Sequence, residues 1–439
     1  PWLNPIPKHD FNVGNDFNHE SPATKYFVKR VISWWMQTYG IDGFRFDLAS
    51  GFTQRNSLGN FNEWARYDTS RINNIQEYAD LMWSIDPESY VILENFVDNS
   101  ERKELSSRGM MLWGNMSIEY GQASKGFGGS DLGGSWWEHV GWGEPGLIAY
   151  MESHDEERLM YKNLTAGNSG PGYNIKELKV ALGRIELVSS FYFLIPGPKM
   201  IWKFGELGYE YSVNYCPDGS VNTNCRLSPK PLRWDYKDVY VRQRIYDIHR
   251  ALILLRQQPA VRDGDLEISL VSQFEKKMRF RHADMDVVVC GNFNVGNRDI
   301  APVFTKTGWW YEYLTGDSLQ VTDVKMTIPY VPGEYHVYTT KRLTFDFDIT
   351  SSIADIDILS QPLNIHPSLN QGQFDIILPG DATGTPEVYV WDITGAKIDI
   401  NTSRVVDRIE TNIVNPAPGV YFVNVLLDKT LYTGKIVVQ

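Results

Sequence analysis

Three short strings in this sequence, each closing an apolar run, contain carboxylates suited to catalysis. They are residues 43–47, 91–95 and 152–155, with Asp47, Glu94 and Asp155 as the carboxylates. A short apolar run bounded by polar loops is typical of a buried parallel strand. Catalytic groups in α/β folds lie at the carboxyl ends of such strands. Together the strings predict one site built from three strand ends.

A pair of carboxylates can serve as nucleophile and proton donor when their surroundings keep one ionised and the other protonated. Arg45 lies two residues before Asp47 on one predicted strand, so both side chains face the same side, and its charge is expected to keep Asp47 ionised. Glu94 follows an apolar run, and poor solvation there would raise its pKa. For each acid taken alone, the alternative is a strand-terminal carboxylate that caps the next helix.

The elements that must position these residues alternate between helix and strand, which indicates a parallel sheet or barrel. Helices are predicted from Ser21-Pro22 to Gly40 and over 64–85, 175–193 and 239–255. Strands are predicted over 41–47, 90–94, 110–116, 147–151 and 199–204, with a Gly/Trp-rich loop over 121–145. About five strand–helix units predict an α/β fold that is the C-terminal part of a (β/α)8 TIM barrel.

The pattern changes after residue 258. Residues 266–342 alternate in short strands, which indicates an antiparallel β domain, and the last region reads as a small β-sandwich. The predicted organisation is a partial barrel, an antiparallel domain, a linker and a sandwich, at residues 1–258, 259–345, 346–361 and 362–439.

At the three strings the chain resembles the α-amylase superfamily, glycoside hydrolase family 13. The resemblance implies a retaining hydrolase of α-1,4-glucosidic bonds in starch- or glycogen-like glucans. It implies Asp47 as nucleophile, Glu94 as acid/base and Asp155 as transition-state stabiliser, with Arg45 and His154 binding substrate.

The chain departs from the family pattern in two places. The family's strand-3 motif and first strands are expected before residue 1, so the chain is interpreted as N-terminally truncated. Ser50 and Gly51 stand where amylases often have Lys-His. Two alternatives therefore stay open: an α-glucan branching enzyme with the same three carboxylates, and an inactive fragment lacking the first barrel strands.

The tail resembles a second family, the type IX secretion C-terminal sorting domain. The resemblance rests on residues 364–372, the turn at 392–395 and residues 418–423. It implies export through that secretion machinery and a secreted or cell-surface location. The alternative is an ordinary accessory sandwich such as a carbohydrate-binding module.

Composition limits the classes of molecule that this protein is expected to bind. A formal net charge of −12 argues against nucleic acid, and no apolar run is long enough for a membrane span. No cofactor is evident and no metal site is predicted, because Asp218, Asn222 and Asn224 lack calcium-loop spacing. The family implies that calcium is possible in a full-length parent.

Two further sets of residues leave alternatives open. Cys216 and Cys225 either form a loop disulfide or stay reduced. Trp136, Trp137 and Trp142 either stack on sugars or pack in a core.

Overall fold

The structure is a computed structural model that describes residues 2–11, 14–271, 274–345, 347, 361–378, 384–393, 396–405, 408–427 and 430–439. The chain folds into two compact units, and each is described by itself. The first comprises Pro1–Glu119, Asp131–Met151 and Ile195–Met200, and the second comprises Tyr120–Ser130, Glu152–Leu194 and Ile201–Gln439.

The helices in chain order are α1 (Pro22–Tyr39), α2 (Phe61–Ala65), α3 (Thr69–Ile85), α4 (Asn99–Ser107), α5 (Ser117–Ser124), α6 (Leu159–Ala166), α7 (Leu178–Leu194), α8 (Tyr240–Arg256) and α9 (Pro259–Arg262). The strands before the antiparallel region are β1 (Gly43–Phe46), β2 (Tyr90–Leu93), β3 (Met111–Asn115), β4 (Leu147–Tyr150), β5 (Ser169–Gly170), β6 (Tyr173–Asn174) and β7 (Lys199–Met200). The strands of the antiparallel region are β8 (Asp265–Ser269), β9 (Glu275–Arg281), β10 (Val287–Asn292), β11 (Arg298–Ile300), β12 (Gly308–Glu312), β13 (Ser318–Val321), β14 (Ile328–Tyr330) and β15 (Tyr335–Thr339). The strands of the tail are β16 (Gln361–Pro362), β17 (Asn364–His366), β18 (Leu369–Asn370), β19 (Gln373–Ile377), β20 (Glu387–Asp392), β21 (Lys397–Ile398), β22 (Ile400–Val405), β23 (Arg408–Ile413), β24 (Gly419–Leu427) and β25 (Thr430–Val438).

The first unit is built on a five-stranded parallel sheet in the order β1-β2-β3-β4-β7. This half-barrel sheet confirms the α/β prediction of successive parallel strands. One face of the sheet packs against α1, α3 and α4, because alternate strand residues such as Val91, Leu93 and Leu112 join a core that includes Ile32 and Tyr78. The other residues of each strand face the opposite side, where the candidate site lies.

Local sequence features set the boundaries of these elements. Helix α1 ends at Gly40 as predicted, and Gly40 adopts the left-handed φ of 61° that favours glycine. The helix predicted over 64–85 is wrong as one piece, because Asp68 is extended and its carboxylate accepts the N–H groups of Ser70 and Arg71, which starts α3 anew. The strand predicted over 199–204 ends at Met200, and Phe204 turns the chain with φ of 59°.

The Gly/Trp-rich segment predicted as loop also contains ordered turns. Helix α5 extends into it as far as Ser124, and a short 3₁₀ helix covers Leu132–Ser135. Asp131 starts that 3₁₀ helix by accepting the N–H of Gly133 at 2.8 Å. A short polar side chain that caps a turn is hard to distinguish in sequence from one that lies in an irregular loop.

The second unit contains α6 to α9 and several antiparallel sheets. A six-stranded sheet runs β13-β12-β15-β10-β9-β8, and β11 pairs with β14, which is the antiparallel character predicted for 266–342. The tail forms one sheet along β16-β25-β24-β20-β21, with β18 also on β25, and a second along β17-β19-β23-β22. Residues from both tail sheets, including Ile376, Val390, Ile409 and Val423, form one buried core.

The linker predicted over 346–361 lies outside the described residues except for Phe347 and Gln361, and Gln361 already pairs with β25. The boundaries predicted at 258, 345 and 361 stay predictions. Among the described residues, none of the helices combines the length and apolar character needed to cross a membrane.

Candidate active site

Strand register brings two of the predicted carboxylates to the same level of the parallel sheet. Phe46 of β1 pairs with Leu93 of β2, so Asp47 and Glu94 each come one residue after a matched pair. Leu93 also pairs with Leu112 of β3, which sets Trp113 at this level. Neighbouring strands lie about 4.8 Å apart, so the register places Asp47, Glu94 and Trp113, which is in the middle of β3, at one level of the sheet.

Arg45 connects the two carboxylates. One guanidinium nitrogen, Nη2, donates to Glu94 Oε2 at 2.6 Å, and Nη1 donates to Asp47 Oδ1. The guanidinium also lies over the ring of Trp113, 4.1 Å from its centroid, which adds a cation–π contact. The planar fork of arginine is suited to holding two acceptors at once, and here it aligns both acids on one face.

The two acids differ sharply in solvation. The Asp47 side chain is 77% exposed, whereas that of Glu94 is 10% exposed. Burial raises the pKa of Glu94, and the negative charge of Asp47 raises it further, although the N–H of Leu48, which donates to Glu94 Oε2 at 3.0 Å, and the charge of Arg45 oppose the rise. A protonated buried acid beside an exposed carboxylate can donate a proton while its neighbour attacks.

A buried contact locks the loops that follow β1 and β2. The hydroxyl of Ser50 donates to Asn95 Oδ1 at 2.9 Å and accepts the N–H of Phe96 at 3.2 Å. The N–H of Ala49 donates to the carbonyl of Glu94 at 2.9 Å. Ser50 is 1% exposed, so its side chain serves this lock.

The predicted residues of the third string lie in the second unit. Asp155 Oδ2 is 3.2 Å from His154 Nε2, and the His154 ring lies 5.9 Å from that of Trp202. Arg226 Nη2 donates to Asp155 Oδ1 at 2.7 Å. The side chains of His154 and Asp155 are 44% and 46% exposed, so both are open to a ligand.

The structure thus assembles Arg45, Asp47 and Glu94 within the first unit, and His154 with Asp155 within the second. Sequence reasoning missed Trp113 and Arg226. Trp113 had a signal, because it alternates with Leu112 in a predicted strand and so faces the same side as the acids. Arg226 had none beyond its place directly after Cys225.

The structure decides the alternatives that the sequence left open for the cysteines and for two of the tryptophans. Cys216 and Cys225 form a disulfide, and Cys290 is a buried thiol. Trp142 is buried and donates its Nε1–H to Asn99 Oδ1 at 2.8 Å, and Trp137 packs on the same core, so these two follow the packing alternative.

The predicted lack of a calcium loop concerns Asp218, Asn222 and Asn224. Asp218 Oδ1 accepts two hydrogen bonds from Ser220, and Asn222 Oδ1 accepts the N–H of Asn224. These two oxygens therefore accept hydrogen bonds from within their own loop. Within the described ranges, no group of three or more His, Cys, Asp or Glu side chains is gathered for a metal.

Comparison with known proteins gives a family for the tail. Residues 364–439 match the model of the secretion system C-terminal sorting domain. The matched range covers β17 to β25, which are strands of both tail sheets. The resemblance predicted for the tail is confirmed.

About three quarters of the chain is similar to a known amylase. A β/α-amylase of Paenibacillus polymyxa is 22% identical over 341 residues, which cover 74% of this chain and 24% of that relative. The chain thus spans about a quarter of the length of the curated relative it matches.

Two solved structures share the fold. An Anoxybacillus α-amylase is 16% identical with a TM-score of 0.56, over 78% of this chain and 71% of that one. A type I pullulanase from Bacillus subtilis str. 168, complexed with maltose, is 17% identical with a TM-score of 0.54, over 74% and 48%. Residues 364–439 therefore match a secretion system C-terminal sorting domain, and the chain is similar in sequence to an amylase and in fold to α-amylase and pullulanase structures.

Proposed function

We propose that the protein is a secreted, retaining glycoside hydrolase that cleaves α-1,4-glucosidic bonds in starch- or glycogen-like glucans. The observation that carries the proposal is the arginine-bridged pair of unlike carboxylates, Asp47 and Glu94, at the carboxyl ends of neighbouring parallel strands. Amylase-family relatives and a maltose-bound neighbour support the same substrate class. The sorting domain supports export through a type IX secretion machinery to the cell surface or beyond.

In the proposed mechanism Asp47 attacks the anomeric carbon while Glu94 gives its proton to the departing glycosidic oxygen. The glycosidic C–O bond breaks, a glycosyl ester to Asp47 forms, and the shortened glucan leaves with the proton. Glu94, now ionised, takes a proton from water, whose oxygen attacks the anomeric carbon and releases Asp47. Retention requires carboxyl groups about 5–5.5 Å apart, and acids level on adjacent strands suit that spacing.

The other residues have supporting roles in this proposal. Arg45 donates to both acids and so fixes the orientation of Asp47 and Glu94. Asp155 and His154, assigned from the family motif, are proposed to hydrogen-bond the hydroxyls of the reacting glucose and to stabilise the charge that develops on it. No step is assigned to a metal or cofactor. The proposed domain arrangement remains the partial barrel, antiparallel domain and sandwich given above.

The test is to incubate the protein as encoded, and the 1–439 chain, with soluble starch and to measure reducing ends, iodine staining and the anomeric configuration of the first products by NMR. We expect reducing ends with the α configuration. Altered iodine staining without reducing ends would assign a branching transferase instead. Activity of the encoded protein but not of 1–439 would identify this chain as an inactive part, and β products would overturn retention.

The pKa of Glu94 gives a prediction for pH dependence. Glu94 must be protonated to donate, and its pKa is raised above 4.5, so kcat/KM for starch should fall on the alkaline side as the pH rises through that raised value. The alkaline limb of the pH profile reports the proton shared between Glu94 and its neighbour Asp47, and it is measured from kcat/KM across pH. If the residual activity of Glu94→Gln keeps the same alkaline limb, another group is responsible.

A further inference from the structure

The strongest feature outside the Asp47–Glu94 pair is the arginine that meets Asp155. Arg226 Nη2 donates to Asp155 Oδ1 at 2.7 Å and to the Asp155 carbonyl at 3.0 Å. Their side chains are 41% and 46% exposed. A long, solvent-exposed arginine loses conformational entropy when it is held in one geometry, so a simple surface pair of this kind contributes little unless the backbone already presents the arginine.

The loop that carries Arg226 begins on the same segment as Asp155. Glu157 accepts the hydroxyl of Ser212 at 2.6 Å and the N–H of Val213 at 3.0 Å. The loop therefore leaves from a point two residues beyond Asp155 and returns to Asp155 through Arg226. Both ends are fixed to one short stretch of chain.

The Cys216–Cys225 disulfide closes this loop immediately before Arg226. The N–H of Cys216 also donates to the carbonyl of Ser220 at 2.8 Å, and Lys230 Nζ donates to the carbonyl of Cys225 at 2.7 Å. A covalent link at this position removes most of the conformational freedom that residues 217–224 would otherwise give the loop. The backbone next to Arg226 is thus held in place, which directs its side chain toward Asp155.

The pair also orders Asp155. Arg226 donates to Oδ1, and Oδ2 lies 3.2 Å from His154 Nε2, so each carboxylate oxygen has a polar neighbour. A carboxylate has about four lone-pair sites, so this half-exposed group can accept hydroxyl donors as well. A fixed acceptor is worth more to a developing charge than one that must reorient.

We propose that Arg226 is a positioning residue for Asp155, and that the Cys216–Cys225 disulfide holds it in place, so that glucan turnover depends on the oxidised disulfide. This inference rests on the proposed function of Asp155. The redox state of the loop that carries Arg226 then affects catalysis, which a purely structural disulfide would not do. An exported protein would meet the oxidising conditions that keep such a bond closed.

The first arm of the test replaces Arg226. Misplacing a group that stabilises the developing charge can cost about 100-fold in rate, so Arg226→Gln should lower kcat on maltoheptaose by about 10- to 100-fold with a smaller change in KM. Arg226→Lys keeps the charge and should recover part of the loss. Arg262→Gln is the matched control, because Arg262 pairs with its neighbour Asp263 on the surface, and its kinetics should equal those of the parent.

The second arm opens the disulfide. Dithiothreitol supplies two electrons and two protons, which convert the disulfide to two thiols while the reagent becomes its cyclic disulfide. Reduction, or Cys216→Ser with Cys225→Ser, should lower kcat of the parent but cause no further loss in Arg226→Gln. Alkylation of the unfolded protein before and after reduction, mapped by mass spectrometry, should mark Cys290 in both samples and Cys216 and Cys225 only after reduction, because these two form the disulfide.

The outcomes are distinguishable. A parent with neither reducing-end release nor iodine change refutes the proposed function and this inference with it. An active parent whose Arg226→Gln variant keeps its kcat refutes the inference alone. Equal losses on reduction in the parent and in Arg226→Gln would show that the disulfide serves the loop and not the arginine, which overturns the second half of the proposal.

Discussion

Glu94→Gln is expected to lower kcat on soluble starch by about 10²- to 10⁴-fold, the usual contribution of a general acid. Glutamine keeps the shape of the side chain and can still accept from Arg45 and from the N–H of Leu48, so the fold should persist. It cannot give a proton to the glycosidic oxygen, and a sugar alkoxide is a poor leaving group without one. Steady-state kinetics with starch, alongside circular dichroism of both proteins, measure the effect.

Two substrates separate loss of proton donation from general damage. An α-glucoside with an acidic phenol as leaving group needs no proton, so its glycosylation step should survive in Glu94→Gln. Azide needs no general base, so it should speed release of the intermediate and give the α-glucosyl azide. Glu88→Gln, at an exposed turn position before β2, is the matched control. The assignment would be contradicted if Glu94→Gln lost activity on starch and on the phenol glucoside equally, or if it kept full activity on starch.

The acid pair was predictable from the sequence for a simple reason. Alternation along a strand places Arg45 and Asp47 on one face, and apolar runs of similar length before Asp47 and Glu94 predict parallel neighbours. The closeness of Arg45 to Glu94 needed the register, Phe46 opposite Leu93, which no local pattern specifies. Register depends on tertiary packing of the whole sheet.

The surroundings of Asp155 were beyond local reasoning. Arg226 is separated from Asp155 by 71 residues, and the contact depends on a loop whose path is set by a disulfide and by Glu157. The two cysteines suggested a closed loop, yet spacing alone left the reduced state open. A loop's direction is set by the few long-range contacts at its ends, and these leave little trace in its composition.

A second structural feature went unpredicted, although it supports the proposed site. Arg71 and Glu101 form a fully buried ion pair, with Nε to Oε1 at 2.7 Å and Nη2 to Oε2 at 2.6 Å. Arg71 Nη1 also donates to the carbonyl of Ser50 at 3.0 Å, and Asn95 donates to Glu101 Oε1 at 3.1 Å. The ion pair therefore connects the loop after β1 with the loop after β2. Charged residues in a helix normally predict a solvent-exposed face, so the sequence gives no sign that Arg71 and Glu101 are buried.

Arg71→Met is expected to destabilise the first unit by about 3–5 kcal/mol, because it removes the guanidinium that pairs with Glu101, a side chain at 0% exposure. The measurement is native-state hydrogen exchange of the amides in α3 and α4, which reports the free energy of local opening without assuming that both units unfold together. Arg108→Met is the matched control on the neighbouring helix. Its partner Glu104 is partly exposed, and the expected cost is about 0.3–0.5 kcal/mol.

The double variant Arg71→Met with Glu101→Leu decides whether the cost comes from the stranded charge. Replacing a buried ion pair by apolar side chains of similar volume is often neutral for stability, so the double variant should be more stable than Arg71→Met alone. The Ser50 carbonyl would still lose Arg71 and Asn95 Nδ2 would lose Glu101, while Asn95 Oδ1 keeps the Ser50 hydroxyl, so we expect kcat below that of the parent even where stability returns. A double variant as unstable as the single one would instead assign the cost to lost packing around the guanidinium. A stable double variant with full kcat would show that the ion pair has no part in positioning Glu94.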